Sequence, residues 1–398
     1  MLEGLGQSQV LGYLRGLARR GIEFDLLSYE LPTASDEAIE ELRGSLAPLG
    51  IHWTPLRRRR DTRLRVKVAE SSKGVAVAFA RALARRPRIV HGRSYLPTAV
   101  SDIVASTLPN AKLLFDCRGM LGEEYVDVGH WTRDRIEYRL IKRYEARAFR
   151  RADGVVVLTN ALRRWVERYG MLGPHTRIEA IPCCVDLDKF QHSSTERVRL
   201  RHELGLGDAL TLVYAGSLGA WYRERDMARF GALFAKHAAT KVRFLVLTPS
   251  KPDDLVGLLR ESGFSSEDIV VRRCAPVEMP AYLSTADAAI SFIKSCFSKK
   301  GTSPTKVAEY LACGLPVVLN GDIGDEGELA AHTDACVVVD GFSDTELTTA
   351  AQRLVGLATR PITDRVREGR RVAEERFGLE GVGVTRYERL YRAMDALT

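Results

Sequence analysis

Short hydrophobic runs alternate with longer amphipathic stretches along the whole chain. In Ser8–Arg20 the hydrophobic residues recur at helical spacing and Gly21 ends the pattern, which predicts a helix. The hydrophobic runs themselves are continuous rather than alternating, as is typical of strands buried on both faces of a parallel sheet. They predict strands at Phe24–Ser28, Arg88–His91, Lys112–Asp116, Gly154–Thr159 and Arg177–Pro182, and then at Leu210–Ala215, Val242–Thr248, Ile269–Arg273, Ala288–Ile293, Pro316–Asn320 and Cys336–Asp340.

This strand–helix alternation runs through the chain twice. It predicts an α/β protein made of two doubly wound, Rossmann-like domains with parallel sheets. A length of 398 residues fits two such domains better than one. A polar stretch at His192–Thr195 follows the last strand of the first half, so we expect the domains to span residues 1–190 and 191–375.

The start of the chain departs from this plan. A glycine-rich turn in such a fold normally follows a first strand, yet Gly4-Leu5-Gly6-Gln7 comes almost at the start. The first strand is therefore expected to be missing. We expect the true start codon to lie upstream, because loss of a central parallel strand would expose hydrogen-bonding edges.

Composition excludes several classes of protein. No stretch approaches the ~18–20 uninterrupted apolar residues that span a bilayer, which excludes an integral membrane protein. The first residues lack the features of a secretory signal. Seven cysteines without a CxxC pair form neither a disulfide framework nor a zinc ribbon, which favours a cytoplasmic location.

Most of the excess positive charge behind the net charge of +8 lies in residues 51–100, which hold 13 basic and 2 acidic residues and include the basic run Arg57–Lys67. Such a run can be a solvated surface, a contact with an anionic membrane or a contact with nucleic acid. No aromatic residues are interleaved with these arginines, as a platform for stacking single strands would require. We therefore rank membrane contact above nucleic acid, and expect no nucleic-acid partner.

The segment that follows the strand at 288–293 carries the most informative chemistry. Ser303 is suited to cap a helix and Pro304 to occupy its first position. The free N–H groups of Thr305 and Lys306 would then form an anion site at the positive end of that helix. Glu309, one and a half turns on, could accept both hydroxyls of a ribose, although a solvated helix Glu is the common alternative.

Helical spacing divides this segment into two faces. It predicts a core-facing side and an opposite side, the latter composed of Lys306, Glu309, Tyr310 and Cys313. Gly314 ends the helix, and Leu315-Pro316-Val317 begins the next strand.

This helix resembles the signature helix of retaining GT-B glycosyltransferases of the "group 1", glycogen-synthase-like kind, in which a Glu precedes Ala-x-Gly-x-Pro-Val. Other stretches resemble the same family in the same order: Gly4–Val10 with Leu17–Gly21, Ile181–Phe190, Val213–Gly219, Tyr282–Asp287 and Tyr387–Tyr391. The resemblance implies a GT-B fold whose two domains face a central cleft. It also implies a C-terminal helix, residues 376–398, that crosses back to the N-terminal domain.

The resemblance also assigns roles. It implies that Glu309 binds the nucleotide ribose and that no metal or other cofactor is needed, because a helix N-terminus and cationic side chains neutralise the diphosphate. Asp186-Leu187-Asp188 would then be a structural crossover rather than a metal site. The implied donor-binding residues are Gly216, Ser217, Gly219, Lys294, Ser303, Thr305, Lys306 and Glu309. Those of an N-terminal loop that faces the sugar are Gly4, Gly6 and Gln7.

Asp116 and Arg118 occupy the place where relatives carry a His that touches the sugar. They are the candidate catalytic residues, which would orient the sugar or the acceptor. The alternative is an Arg–Asp pair that only fixes the loop.

Two departures from the family pattern matter. Gly301 replaces the first Glu of the motif, which leaves the sugar undetermined. Ser217 and Tyr222 stand where many members carry Arg and Lys, so the phosphate charge must be met by other cations. The candidates are Lys294 and Lys306, with Lys299, Lys300 and Arg223 weaker.

We therefore expect a retaining glycosyltransferase that moves a sugar from a nucleotide-diphosphate sugar to a hydroxyl of a lipid-linked or growing cell-surface glycan. We expect it in the cytoplasm, at the inner face of the membrane if Arg57–Lys67 contacts lipid. A sugar-nucleotide epimerase on the same fold and an inactive nucleotide-sugar-binding protein remain the alternatives, and Gly301 is the best argument for the second.

Overall fold

The computed structural model of the chain describes residues 1–59 and 64–396. The strands are β1 (Phe24–Glu30), β2 (Ile51–Arg57), β3 (Ile89–Arg93), β4 (Lys112–Asp116), β5 (Gly154–Val157), β6 (Arg177–Ala180), β7 (Leu210–Ala215), β8 (Val242–Leu247), β9 (Ile269–Arg272), β10 (Ala288–Ser291), β11 (Val317–Asn320) and β12 (Cys336–Val339). The helices are α1 (Gly4–Gly6), α2 (Gly12–Arg19), α3 (Asp36–Leu46), α4 (Leu64–Arg85), α5 (Tyr95–Thr107), α6 (Leu121–Asp127), α7 (Ile136–Arg151), α8 (Asn160–Arg168), α9 (Ser194–Glu203), α10 (Glu224–His237), α11 (Asp253–Glu261), α12 (Met279–Leu283), α13 (Thr305–Ala312), α14 (Asp344–Ala358), α15 (Ile362–Phe377) and α16 (Thr385–Asp395).

The chain forms two compact units. The first comprises Met1–Gly122, Thr132–Ile181 and the chain from Leu379 onward. The second comprises Glu123–Trp131 and Pro182–Gly378. The chain therefore passes from the first unit to the second after Ile181 and returns to the first at Leu379.

The second unit has a six-stranded parallel sheet in the order β12-β11-β10-β7-β8-β9. Every residue of β7 and of β10 is buried, which explains why their hydrophobic runs are continuous. One apolar cluster, with Val213 and Leu311, includes residues of α13 and α15. The other, with Phe230 and Leu354, includes residues of α10 and α14. The predicted doubly wound α/β domain is confirmed here.

The first unit has two parallel sheets, β1-β2 and β3-β4-β5-β6. Among the described residues, no strand precedes Phe24 and no ladder joins β1 to β3. β2 was not predicted. Its burial alternates along the strand and it contains Pro55, which is tolerated because β2 pairs with β1 on one side only.

The predicted glycine-rich loop at Gly4, Gly6 and Gln7 is wrong. Gly4–Gly6 is helical, a π-helical turn spans Gln7–Leu11, and the segment continues into α2. The N–H of Gln7 donates to the carbonyl of Glu3, which has an extended conformation and precedes the first helical turn. These glycines therefore have helical backbone angles and form no turn.

Two further observations bear on the sequence analysis. No helix in the part of the chain that the structure describes is long and apolar enough to span a bilayer. All seven cysteines are free. Of the predicted membrane-contact segment Arg57–Lys67, residues 57–59 are exposed, residues 60–63 lie outside the described residues, and so do the side chains of 64–67.

Candidate active site

The strand order of the second unit defines where a ligand can bind. From the adjacent pair β7 and β10, the chain runs outward in opposite directions, to β8 and β9 on one side and to β11 and β12 on the other. The loops that follow such a pair diverge, which leaves a crevice at the carboxyl ends of the strands. The loop after β7 contains Gly216 and Gly219, and the segment after β10 leads into α13.

The start of α13 differs in detail from the prediction. The helix begins at Thr305 after an extended Pro304, and no side chain caps it. Ser303 as the cap is wrong, because its hydroxyl accepts a hydrogen bond of 3.1 Å from the N–H of Cys183. Since Ser303 is engaged there, it does not compete for the first N–H groups of α13, which have no acceptor within the helix.

The predicted two faces of α13 are also wrong, because Tyr310 and Cys313 are as deeply buried as the core side. The Tyr310 hydroxyl accepts a 2.7 Å hydrogen bond from the N–H of Ala215, the last residue of β7. Tyr310 therefore ties α13 to the carboxyl end of β7. The sequence did not indicate this, since a Tyr at that spacing is equally suited to a solvated face.

Lys306 is buried in an aromatic pocket beside the loop after β7. Its Nζ donates to the Tyr214 hydroxyl at 3.1 Å and lies 4.2 Å from the ring centroids of both Tyr214 and Tyr222. Burial lowers the pKa of Lys306 to about 7, against the opposing charges of Glu309 and Glu326. A lysine with such a pKa gains its full charge when an anion binds beside it.

Gly216 allows Lys306 to occupy this position. Its φ of +128° is a conformation that L side chains rarely adopt, and a Cβ there would lie 2.9 Å from the Lys306 Nζ. Gly219 also has a positive φ, +120°, and its N–H donates to the Glu224 carboxylate at 2.8 Å. Ser217 between them is exposed.

Glu309 lies three residues after Lys306 on α13, hence close to the same side of the helix. Its side chain is partly exposed and has no hydrogen-bond partner among residues 1–59 and 64–396. Burial raises the pKa of Glu309 to about 7, and the charge of Lys306 opposes this shift. The carboxylate is therefore available to a ligand.

Glu326, which sequence reasoning missed, adds a second acid to this site. It is buried, and neither carboxylate oxygen has a hydrogen-bond partner in the described part of the chain. Burial raises the pKa of Glu326 well above its usual value, against the opposing charge of Lys306. A Glu in a short 3-10 turn after β11 carries no sequence signal of this kind.

The other predicted cations are engaged differently. The Nζ of Lys294 is exposed and lies 3.5 Å from the backbone oxygen of Asp127. Lys299 is buried against Trp221, its Nζ 3.4 Å from the ring centroid. Burial lowers the pKa of Lys299, with Glu124 as the main opposing charge. Of these lysines, Lys306 is the one placed beside Gly216.

In the first unit, the carboxylate of Asp116 is fully buried at the end of β4. It accepts from Arg93 at 2.8 Å, from Tyr387 at 3.0 Å and from Arg118 at 3.4 Å. Burial alone would raise the pKa of Asp116, but the guanidinium groups of Arg118 and Arg93 hold this pKa well below its usual range. This arrangement favours the alternative of an Arg–Asp pair that fixes the loop, and a catalytic role for Asp116 or Arg118 stays a prediction.

The structure therefore brings some of the predicted residues together and leaves others apart. The ones it gathers are Gly216, Thr305, Lys306 and Glu309, all at the carboxyl ends of β7 and β10. Ser303 is turned toward Cys183. Asp116, Arg118 and the helical residues Gly4, Gly6 and Gln7 belong to the first unit.

Comparisons with known proteins agree with this architecture. Residues 6–184 match the family model of the glycosyl transferase 4-like domain. No curated protein sequence matches the chain significantly.

Similar solved structures cover almost the whole chain. Sucrose-phosphate synthase from Thermosynechococcus elongatus is 18% identical with a TM-score of 0.68, over 94% of this chain and 100% of that one. HepE from Anabaena, in complex with UDP, is 15% identical with a TM-score of 0.69, over 97% and 96% of the two chains. WaaG, a glycosyltransferase involved in lipopolysaccharide biosynthesis, is 14% identical with a TM-score of 0.61, over 94% and 99%.

At these identities the neighbours show the fold. The fold is that of the GT-B glycosyltransferases, with two Rossmann-like domains. Together with the match of residues 6–184 to the glycosyl transferase 4-like domain, this fold supports the resemblance to group 1 glycosyltransferases that the motifs indicated.

Proposed function

We propose that this protein transfers a hexose from a nucleotide-diphosphate sugar to an acceptor hydroxyl, with retention of configuration and without a metal ion. The observation that carries the proposal is the pairing of Lys306 and Glu309 on α13, beside Gly216 at the β7–β10 switch point. Structural neighbours support the donor class, since HepE was solved with UDP and with UDP-glucose.

α13 offers binding groups for both the diphosphate and the ribose of the donor. The N–H groups of Thr305 and Lys306, together with the Lys306 ammonium, supply positive charge to the diphosphate. Glu309 has no partner of its own in the described residues and is free to accept the two ribose hydroxyls. Gly216 exposes backbone that a phosphate can approach closely.

In the proposed reaction the bond between the anomeric carbon and the diphosphate breaks, and the acceptor oxygen attacks from the same face. The departing diphosphate takes the acceptor proton, so no side chain acts as nucleophile. Lys306 stabilises the charge that develops on the leaving group, because a buried cation acts in a medium of low dielectric constant.

The acceptor we propose is a lipid-linked or growing glycan of the cell surface, handled in the cytoplasm at the inner face of the membrane. The support is the family resemblance and the fold shared with WaaG, a protein of lipopolysaccharide biosynthesis. The basic segment Arg57–Lys67 adds positive charge suited to such a location.

A panel of nucleotide sugars tests the donor site directly. A donor should raise the melting temperature at saturating concentration, and the wild-type protein should slowly release its nucleoside diphosphate by hydrolysis. Glu309→Ala should weaken donor binding about 10- to 100-fold, because it removes the carboxyl group that accepts the ribose hydroxyls. Glu267→Ala, an exposed acid in the same unit, is the matched control.

Three outcomes would contradict the proposal. Equal donor affinity in Glu309→Ala and wild type would remove the ribose role. Donor binding without any release or transfer would favour an inactive binding protein. An altered nucleotide sugar recovered intact in the absence of acceptor would identify an epimerase.

A further inference from the structure

Large aliphatic side chains are exposed on two outer helices of the first unit. On α5, Leu96 and Ile103 are 65% and 54% exposed, and they lie seven residues apart, on one face. On α7, Ile136 and Leu140 are 69% and 56% exposed, one turn apart. Isolated exposed aliphatics are ordinary, but four on adjoining helices form a surface.

The two helices form one continuous layer. β3, β4 and β5 are neighbours in that order, and right-handed crossovers place the helices that connect them on the same side of the sheet. An ion pair between Asp102 of α5 and Arg147 of α7, at 3.1 Å, joins the two helices.

The exposed face of α7 is strongly basic beyond its two aliphatics. Its exposed arginines recur at intervals of three and four residues and so share that face: Arg139, Arg143, Arg147, Arg150 and Arg151. Three of the acids near them are buried or paired: Glu145 is buried, Asp102 is buried between Arg147 and Arg151, and Glu137 pairs with Arg135 at 2.8 Å. Asp134, just before the helix, is exposed.

We propose that this face of α5 and α7, the α5–α7 face, docks on the headgroup region of an anionic lipid bilayer. Arginines attract acidic headgroups and release counterions, while the aliphatic side chains at the N-terminal end of α7 and along α5 enter the boundary with the acyl chains. This surface is separate from Arg57–Lys67, and its binding to lipid does not depend on donor binding or transfer.

Charge argues against the other occupants. A two-fold contact between copies of this chain would set the same row of arginines against itself, which is repulsive. Nucleic acid would use the arginines but leave Leu96, Ile103, Ile136 and Leu140 without a role. An acidic bilayer surface satisfies both kinds of side chain at once.

Vesicle flotation with the full chain tests the proposal. The protein should float with vesicles made of equal parts phosphatidylcholine and phosphatidylglycerol, and far less with phosphatidylcholine alone or in high salt. Arg143→Glu/Arg150→Glu should weaken this binding by at least about 25-fold, taking about fivefold for each arginine removed. Ile136→Ser/Leu140→Ser should weaken it too, with a smaller change in its salt dependence.

Matched variants on the second unit serve as controls. Arg353→Glu/Arg367→Glu makes the same charge change on exposed positions of α14 and α15, and Val198→Ser/Val277→Ser removes aliphatics that are more exposed than Ile136 and Leu140. Both control pairs should float as the wild type does. Circular dichroism and donor hydrolysis in solution should be unchanged in every variant, which separates this test from that of the proposed function.

The proposal is overturned if the wild type does not prefer acidic vesicles. It is also overturned if the α7 variants float as well as the control variants, in which case charge elsewhere is responsible. A concentration-dependent dimer in sedimentation that is lost in Ile136→Ser/Leu140→Ser, without lipid binding, would assign the face to a second copy instead.

Discussion

Replacement of Lys306 by Met should stabilise the protein while it weakens donor binding. Folding buries the ammonium and lowers the pKa of Lys306 from 10.5 to about 7. The folded state therefore binds this proton less well than the unfolded state, and the lysine destabilises the fold wherever it is protonated when unfolded. The penalty is complete below pH 7 and disappears as the pH rises through 10.5.

The linkage between proton binding and folding gives the size of this stability penalty. With folded and unfolded pKa values of about 7 and 10.5, the penalty is about 4 kcal/mol at pH 7 and about 2 kcal/mol at pH 9. Lys306→Met keeps the length of the side chain without its charge, so the variant should gain about 4 kcal/mol over wild type at pH 7 and about half of that at pH 9. Loss of the lysine charge also raises the pKa of Glu309, which lowers the gain further at the higher pH.

Urea unfolding at the two pH values, followed by circular dichroism and tryptophan fluorescence, measures this difference. Lys251→Met, at an exposed position, is the control and should change stability little at either pH. A gain that is the same at both pH values would refute the burial argument, as would a variant less stable than wild type at pH 7. Donor affinity, measured on the same samples by thermal shift, should fall in Lys306→Met alone.

Two further substitutions separate packing from charge. Gly216→Ala should lower stability by about 1–3 kcal/mol and weaken donor binding, because its backbone conformation is strained for alanine and its Cβ would clash with Lys306. Gly207→Ala also has a positive φ but open space around its Cβ, so it should show only the loss of stability that comes from backbone strain. Asp116→Asn should cost about 3 kcal/mol in urea unfolding, because it leaves the half-buried guanidinium groups of Arg93 and Arg118 without their buried carboxylate. Asp36→Asn on the surface should cost under about 1 kcal/mol. Since folding lowers the pKa of Asp116, the wild type should lose its extra stability over the Asn variant as the pH falls below about 4. If both proteins unfold in acid at the same pH, the carboxylate is not ionised in the folded state.

The sheet of the second unit could be read from the sequence because its strands are buried on both faces. Lys112–Asp116 and Leu210–Ala215 were predicted to the residue for the same reason. β2 was missed because it alternates instead of forming a continuous hydrophobic run, and because it contains Pro55, which argues against a central strand.

The site was predicted less completely than the fold. The spacing of Lys306 and Glu309 placed both on α13, but a helical period cannot show that a helix is buried on all sides. The sequence therefore did not predict that Tyr310 contacts β7 or that Glu326 is buried beside Lys306, because both depend on how distant segments pack together. A turn was predicted at Gly4 and Gly6, but the segment is helical, because a glycine-rich sequence permits a turn without requiring one.

Because Lys306 and Glu309 lie on a single rigid helix, the distance between them is fixed. Three residues of α-helix advance by about 4.5 Å, so the phosphate-binding and pentose-binding groups are held at a set separation that no loop movement can alter. A sugar 1-phosphate, which lacks the pentose, can engage only one of these groups. On the proposed function, the enzyme thereby distinguishes activated donors from the simpler sugar phosphates of the same compartment through the length of the ligand as well as its charge.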